Sequence, residues 1–367
     1  MLMREVSRIR MVVVVSAFAI GVSAVAAGKW EIKLSPGEQR ALAAITPVSL
    51  QAHLSFLSAD ALEGRGSGSS GLDVAAEYIA AQFRRAGLKA VGDDGFFQTT
   101  PRTRLTPNLD GFQCRMSIDG RLLDVPSRQF ALVGSPAANT PAVREIRIDE
   151  APVIKVPFGG AAAAAYDALP PGPTTALFTA RLAPPVETDA PQRNVIGLLP
   201  GSDPKLADTY VLVTAHYDGQ GSRPGPDRVW NSANDNGSGT VTVIEIAAAL
   251  ASLSKHPRRS LVFIAFHGEE SGLAGSRYHA QHPVFPLEKT VAGINVEMVG
   301  RTDDIEGDQR KRASVTGFDY SDVGEVFRRA GEQTGVTVFK HPKNSDPYFG
   351  ASDNAALAIQ GVPAHTV

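Results

Sequence analysis

From residue 193 onward, apolar positions come in short blocks separated by longer amphipathic stretches. "RNVIGLLPG", "TYVLVTAHYD", "RRSLVFIAFHG", "KTVAGINVEMVG" and "VPAHTV" carry the blocks and predict strands. The run from Leu261 to Phe266 is apolar throughout, as expected of a strand covered on both faces. Between the blocks, "GSGTVTVIEIAAALASL", "SGLAGSRYHAQH" and "SDVGEVFRRAGEQTG" predict helices, the last with a glycine stop. Strands alternating with helices predict an α/β fold with a mostly parallel, mixed central sheet and helices on both faces. Ligands in such sheets bind beyond the carboxyl ends of the strands. In this chain the polar residues occupy those ends.

Upstream, residues 47 to 100 read as helix, loop, helix. "SLQAHLSFLSADALEG" has helical apolar spacing, and "RGSGSSG" predicts a flexible loop. "LDVAAEYIAAQFRRAGL" places Val74, Tyr78, Ile79 and Phe83 on one face and stops at Gly87. Residues 101 to 192 differ: prolines are frequent, apolar blocks are short, and "GGAAAAAYDALPPGP" carries little pattern. This stretch reads as a small irregular β insertion, not a second catalytic unit. The expected organisation is residues 46–102 as the first part of one domain, 103–192 as the insertion, and 193–367 as the main part.

The N-terminus stands apart. "MREVSRIR" has three arginines and one glutamate, and the apolar "MVVVVSAFAIGVSAVAA" follows. Ala24-Val25-Ala26 fits a small-x-small cleavage site, so residues 1–26 read as a signal peptide and the protein as exported, periplasmic or secreted. The apolar stretch is shorter than the ~20 residues a spanning helix needs, so no stable membrane association is expected after cleavage. Composition adds exclusions. A formal net charge of -2 gives no basic field for nucleic acid. The lone Cys114 excludes an internal disulfide and any multi-cysteine metal site.

Four strand or loop ends carry metal-type ligands. "AHYDG" holds His216 and, two residues on, Asp218, where a carboxylate can fix the imidazole tautomer. "NSANDNGSG" holds Asp235 in a tight turn before a helix, Glu269 and Glu270 follow the strand 261–266, and Glu297 ends "INVEMVG". Each piece alone has a plain structural reading: a surface pair, a turn residue, or first-turn helix charges. Together they form a histidine–carboxylate set suited to zinc, with manganese or cobalt as alternatives. Several carboxylates suggest two cations about 3.5–4 Å apart, acting as a clamp for hydrolysis. The adjacent glutamates then make sense. One binds a metal while its neighbour, just outside, serves as general base toward the attacking water.

From about residue 46 to 367 the chain resembles the co-catalytic di-zinc aminopeptidases. That superfamily includes secreted bacterial leucine aminopeptidases, glutamate carboxypeptidase, glutaminyl cyclases and the non-catalytic transferrin receptor. The resemblance rests on "DALEGRGSGSSG", "AHYDG", "NDNGSG", "FHGEESGLAGS" and "INVEMVG". It implies that His216 and Glu297 hold one zinc, Asp235 bridges two, Glu270 binds the second, Glu269 is the general base and Asp218 supports His216. It also implies a peptide substrate, two zinc ions in a complete site and release of terminal residues. Glutamate at 297 replaces the aspartate usual in the family, and the insertion stands where some relatives carry a larger protease-associated domain. In relatives a final histidine ligand lies beyond the strand that "GVPAHTV" begins. The only nearby histidine here, His365, lies within that strand. The expectation is therefore a chain that stops short of the last ligand, with at most one tightly held zinc and little turnover. The rival readings are a non-catalytic homologue and a single-zinc glutaminyl cyclase on the same fold.

Overall fold

The computed structural model describes residues 34–118, 121–125, 143–148, 176–223, 226–302 and 307–367. The expected signal peptide lies outside these residues. Among them, no helix is long and apolar enough to cross a membrane.

Helices α1 (Pro36–Ala44) and α2 (Pro47–Leu57) each begin with proline behind a hydroxyl cap. Ser35 and Glu38 close a reciprocal capping box on α1, which satisfies amides that the first helical turn leaves free. Helix α3 (Ser70–Arg85) starts at the Ser69 cap. It buries Leu72, Ala75, Ala76, Ile79, Ala80 and Phe83. The buried stripe is thus rotated from the predicted one: Val74 is 47% exposed. Small alanines, not the larger Val74, let the helix approach the sheet. Gly87, at φ +81°, ends the turn as expected.

The strands follow: β1 (Lys89–Ala90), β2 (Phe97–Thr100), β3 (Thr103–Ile118), β4 (Arg121–Val125), β5 (Val143–Ile148), β6 (Ala176–Asp189), β7 (Gln192–Leu199) and β8 (Tyr210–His216). Then come α4 (Gly239–Ala251), β9 (Ser260–Phe266), α5 (Ala274–Gln281), β10 (Thr290–Asn295), β11 (Arg312–Ser314), α6 (Val323–Thr334), β12 (Thr337–Phe339), α7 (Asn354–Ala358) and β13 (Ala364–Thr366). The main sheet runs β1-β7-β9-β8-β10-β13, with β2 also on β7. Pairs β9–β8, β8–β10 and β10–β13 are parallel, and β7 is antiparallel to β9. The mixed sheet matches the expected fold class.

Strand β9 shows why an unbroken apolar run was needed. Leu261, Phe263 and Ala265 enter one core with α3 and α4 residues such as Phe83 and Ile244. Val262, Ile264 and Phe266 enter a second core with Ala280 of α5 and Leu357 of α7. Both faces are covered, so neither alternate position can be polar.

Between β2 and β7, strands β3 to β6 form a separate four-stranded antiparallel sheet in the order β4-β3-β6-β5. It is more regular than its composition suggested, with β3 spanning 16 residues and β6 spanning 14. Register shifts between Thr106 and Gln113 absorb local irregularity without ending the ladder.

Phe263 is fully buried and its ring lies 6.4 Å from that of Phe83. Phe263→Ala is expected to lower the unfolding free energy by about 3–5 kcal/mol, the range for a large buried aromatic. Denaturant titration checks this, and a loss under about 1 kcal/mol would mean that the core refills the space.

Candidate metal centre

Parallel register aligns the segments that leave the strand ends. His216 pairs with Phe266 across β8–β9, and Thr214 pairs with Asn295 across β8–β10. His216 therefore projects from the central strand, with the Glu269–Glu270 turn beyond one neighbour and Glu297 beyond the other. Asp235 arrives in the turn that leads into α4. Gly239 lets this turn approach closely: a Cβ there would lie 2.2 Å from the Val296 carbonyl oxygen. Asn236 completes the join. Its side-chain amide donates to the Val296 carbonyl, and its oxygen accepts from the amides of Gly239 and Met298.

His216 is fully buried. Its Nε2 lies 3.3 Å from Asp235 Oδ1 and 4.0 Å from both Glu269 Oε2 and Glu297 Oε1. Its Nδ1 faces Asp218 Oδ1 at 3.4 Å. One donor atom each from His216, Glu269 and Glu297 lie within 4.8 Å of one another, so geometry alone places Glu269 as near the imidazole as Glu297. Glu270 sits toward Asp235, and Gln220 Nε2 donates to its Oε2 at 3.4 Å. All six residues singled out in the sequence thus converge. Asp218 occupies a supporting place: its oxygens accept from the amides of Glu269, at 3.0 Å, and Glu270, at 3.2 Å. One carboxylate therefore fixes the glutamate turn and faces the imidazole at once.

Electrostatics reflects this crowding. Burial pushes Glu269 up to about 8, with Asp353, Glu297 and Asp218 adding to the rise and His216 opposing it. Glu270 and Glu297 are also raised, chiefly by burial. Burial would lower His216, but Asp218 and Asp235 outweigh it and hold the imidazole well above its usual value. Buried atoms without hydrogen-bond partners include both His216 ring nitrogens, Asp235 Oδ1 and Glu270 Oε1. Partnerless buried oxygens beside one imidazole, with no thiolate, fit a divalent cation of the zinc type.

Three residues near the centre have no role assigned from the sequence. Arg65 is fully buried, and the "RGSGSSG" stretch is anchored, not loose: Gly66 bridges to Gly219, and the Arg65 carbonyl accepts from the Gly219 amide. Burial lowers the Arg65 guanidinium to about 10, while Asp218 and Asp235 favour its charged form. Asp353, fully buried ahead of α7, has both oxygens unpartnered and is raised to about 7, by burial first. Asn236 lies buried beside Asp235. The quoted motifs contained Arg65 and Asn236, but nothing in spacing separates a buried guanidinium from a solvated one.

Among the other histidines, His365 donates or accepts at both nitrogens, with Ser321 Oγ at 2.6 Å and the Thr316 carbonyl at 2.8 Å, so it serves β13 and not the centre. His279 is 2% exposed and pairs with Gln98. His267 is buried against Thr100, which burial accompanies with a value lowered to about 4.

A mixed α/β sheet with one histidine and several carboxylates gathered at its parallel strand ends makes a candidate centre for a divalent cation. Residues 194–367, a little under half of the chain, match the model of peptidase family M28. The chain is 38% identical over 183 residues to aminopeptidase YwaD of Bacillus subtilis, covering 48% of this chain and 37% of that protein. The match thus spans well under half the length of that curated relative. The fold resembles a zinc aminopeptidase from Bacillus subtilis, with TM-score 0.54 at 19% identity over 87% of this chain and 83% of that one. It also resembles an aminopeptidase from Aneurinibacillus sp. strain AM-1, with TM-score 0.52 at 17% identity over 90% and 86%. At these identities the two structures bear on the fold alone.

Asp218→Ala should leave the Glu269 and Glu270 amides without their acceptor. Metal affinity is expected to fall about 10–100-fold, as for other supporting carboxylates, measured by chelator competition. Unchanged affinity would show that the turn holds itself.

Proposed function

We propose that the chain is a zinc-dependent exopeptidase, acting as an aminopeptidase on peptide substrates. The observation that carries this reading is the convergence of His216, Asp235, Glu269, Glu270 and Glu297 beyond the parallel strand ends, with partnerless atoms on His216, Asp235 and Glu270. His216 and Glu297 would hold one cation, Asp235 would face both positions and Glu270 would serve the second. Zinc there would polarise the scissile carbonyl and make water a stronger acid.

The chain's own groups do the rest. Glu269, only 12% exposed at its side chain, lies where it can take a proton from the attacking water and return it to the leaving amine. Burial and neighbouring carboxylates favour its protonated form, and a cation would oppose them, leaving the group able to work in both directions. Asp218 keeps His216 oriented and the glutamate turn fixed. The other proposals are export through the leader at 1–26 and the insertion at 103–192 as a reduced protease-associated segment.

Glu269→Gln should cut turnover by about 10²–10⁴-fold while leaving metal content near that of the parent protein, because the amide keeps the shape but cannot accept the proton. Near-normal turnover would show that Glu269 is not the base. Glu270→Gln should instead lose metal, read by elemental analysis.

Zinc stoichiometry tests the donor set directly. Three donor residues and an open position make a typical catalytic zinc site. The second position has Asp235 and Glu270 and no histidine among the described residues. One tightly held zinc per chain and slow release of leucine from reporter peptides are expected. Two zincs with brisk turnover would mean that a further donor completes the second position.

A further inference from the structure

Arg65 is fully buried and touches no carboxylate in the hydrogen-bond network: all its partners are main-chain carbonyls. Nε donates to Tyr217 at 2.7 Å, Nη1 donates to Leu57 and, at 3.0 Å, to Asn231, and Nη2 donates to Ser232 at 2.8 Å. These acceptors belong to three separate pieces of chain. Tyr217 lies between His216 and Asp218. Asn231 and Ser232 lead into the Asp235 turn. Leu57 ends α2. A single planar fork therefore bridges the end of β8 and the loop that carries Asp235.

The surroundings are built to keep the fork in place. Arg65 itself sits in the left-handed region at φ +51°, after Gly64 at φ +64°. A Cβ at Gly64 would lie 2.3 Å from the Trp230 carbonyl oxygen, so the arm and the loop pack backbone to backbone. Ser232, whose carbonyl Arg65 holds, is also left-handed, at φ +48°. Unfavourable backbone positions persist where surrounding contacts over-determine them, and they cluster at functional sites. Asn231 Nδ2 adds a parallel tie, donating to the Ser58 carbonyl and to Asp60 Oδ1.

The geometry points to Arg65 as a positioning residue of the metal centre: it sets where Asp235 stands relative to His216, and so the affinity and shape of the cation site. This rests on the zinc-site reading above. The fork's geometry explains why arginine is used. A guanidinium presents five donors in one plane, whereas a lysine ammonium offers three on a compact head and cannot reach carbonyls spread over three segments. Without the fork, the Tyr217, Asn231 and Ser232 carbonyls lose their common donor, and the Asp235 loop is free to drift from the imidazole. The guanidinium also places a positive charge near Asp218 and Asp235, each of which favours its charged form.

The test uses the full chain loaded with Co2+, whose visible spectrum reports coordination geometry independently of turnover. Arg65→Lys keeps the charge and loses the fork. Expected are a folded protein by circular dichroism, Co2+ affinity lowered about ten-fold or more in chelator competition, and an altered visible spectrum. Phe83→Leu serves as a comparison, since its ring packs against Phe96 and Phe263 in the core and not against the site. It should lose stability while keeping the parent Co2+ spectrum, which separates positioning from general loosening. An Arg65→Lys protein with parent affinity and spectrum overturns the assignment. If Arg65→Lys does not fold, Arg65→Gln carries the test: its shorter amide has two donors in place of the fork of five and cannot span the three segments. Parent-like Co2+ binding in that variant overturns the assignment equally. Absence of Co2+ binding by the parent chain itself sinks the zinc-site reading, and the role of Arg65 with it.

Discussion

The centre depends on one constraint, the parallel in-register pairing of β9, β8 and β10. His216 stands opposite Phe266 and Thr214 opposite Asn295, so β8 and β9 end together and Glu297, two residues past the end of β10, comes level with His216. Beyond that level the ladder stops, and main-chain groups must find other partners. The chain satisfies them with the groups that build the site. The Glu269 and Glu270 amides donate to Asp218, the Val296 carbonyl accepts from Asn236, and the His216 carbonyl accepts from Thr240. The backbone demand of the strand ends and the placement of the donor set are thus one solution. A slip of β10 by one residue would turn Glu297 to the opposite face, because side chains alternate with period two.

The same convergence makes the site electrostatically costly. Asp218, Asp235, Glu269, Glu270, Glu297 and Asp353 surround one imidazole, and four of the six show raised values. Buried like charges each favour the neutral form of the others. Arg65 offsets part of this at Asp218 and Asp235, and a divalent cation would offset more. A protein that accepts such an arrangement against the demands of folding does so for what the charges can hold.

How far the sequence revealed this follows from which physical signals it writes plainly. A strand buried on both faces must be apolar at every position, so β9 was visible as "SLVFIAF". Candidate site residues at strand ends were visible because polar residues interrupt such runs abruptly, as at Glu269. Amphipathic helix faces were less secure. Val74 fits the helical stripe of α3 by hydrophobicity, yet the alanines around it are the buried surface, since close approach to a sheet favours small side chains. The insertion was harder still, because its long antiparallel strands pair mainly with one another and lack the continuous apolar signature. Buried polar residues were least legible of all. "RGSGSSG" looks mobile by composition, but Arg65 is fully buried within it because carbonyls from three distant segments surround the guanidinium. His279 likewise sits in a polar-looking helix and is buried by Gln98, which arrives from β2.

These layers differ in stiffness, and the difference bears on function. His216 is the last residue of a central strand, locked on both sides, so it is the fixed reference of the site. The carboxylates all stand on turns: Asp235 before α4, Glu269 and Glu270 before α5, Glu297 just past β10. Turns can adjust by fractions of an ångström where a paired strand cannot, which would suit the proposed cation ligands. Each turn is nonetheless tied at one point to something rigid. Asp218 ties the glutamates, Asn236 and Arg65 tie the Asp235 loop, and Asn295 ties the Glu297 end through Ser352 and Thr366. Supporting groups of this kind hold liganding side chains close to working geometry and limit the reorganisation left for binding. The sheet therefore supplies position, the turns supply compliance, and the buried polar ties decide how much of that compliance survives.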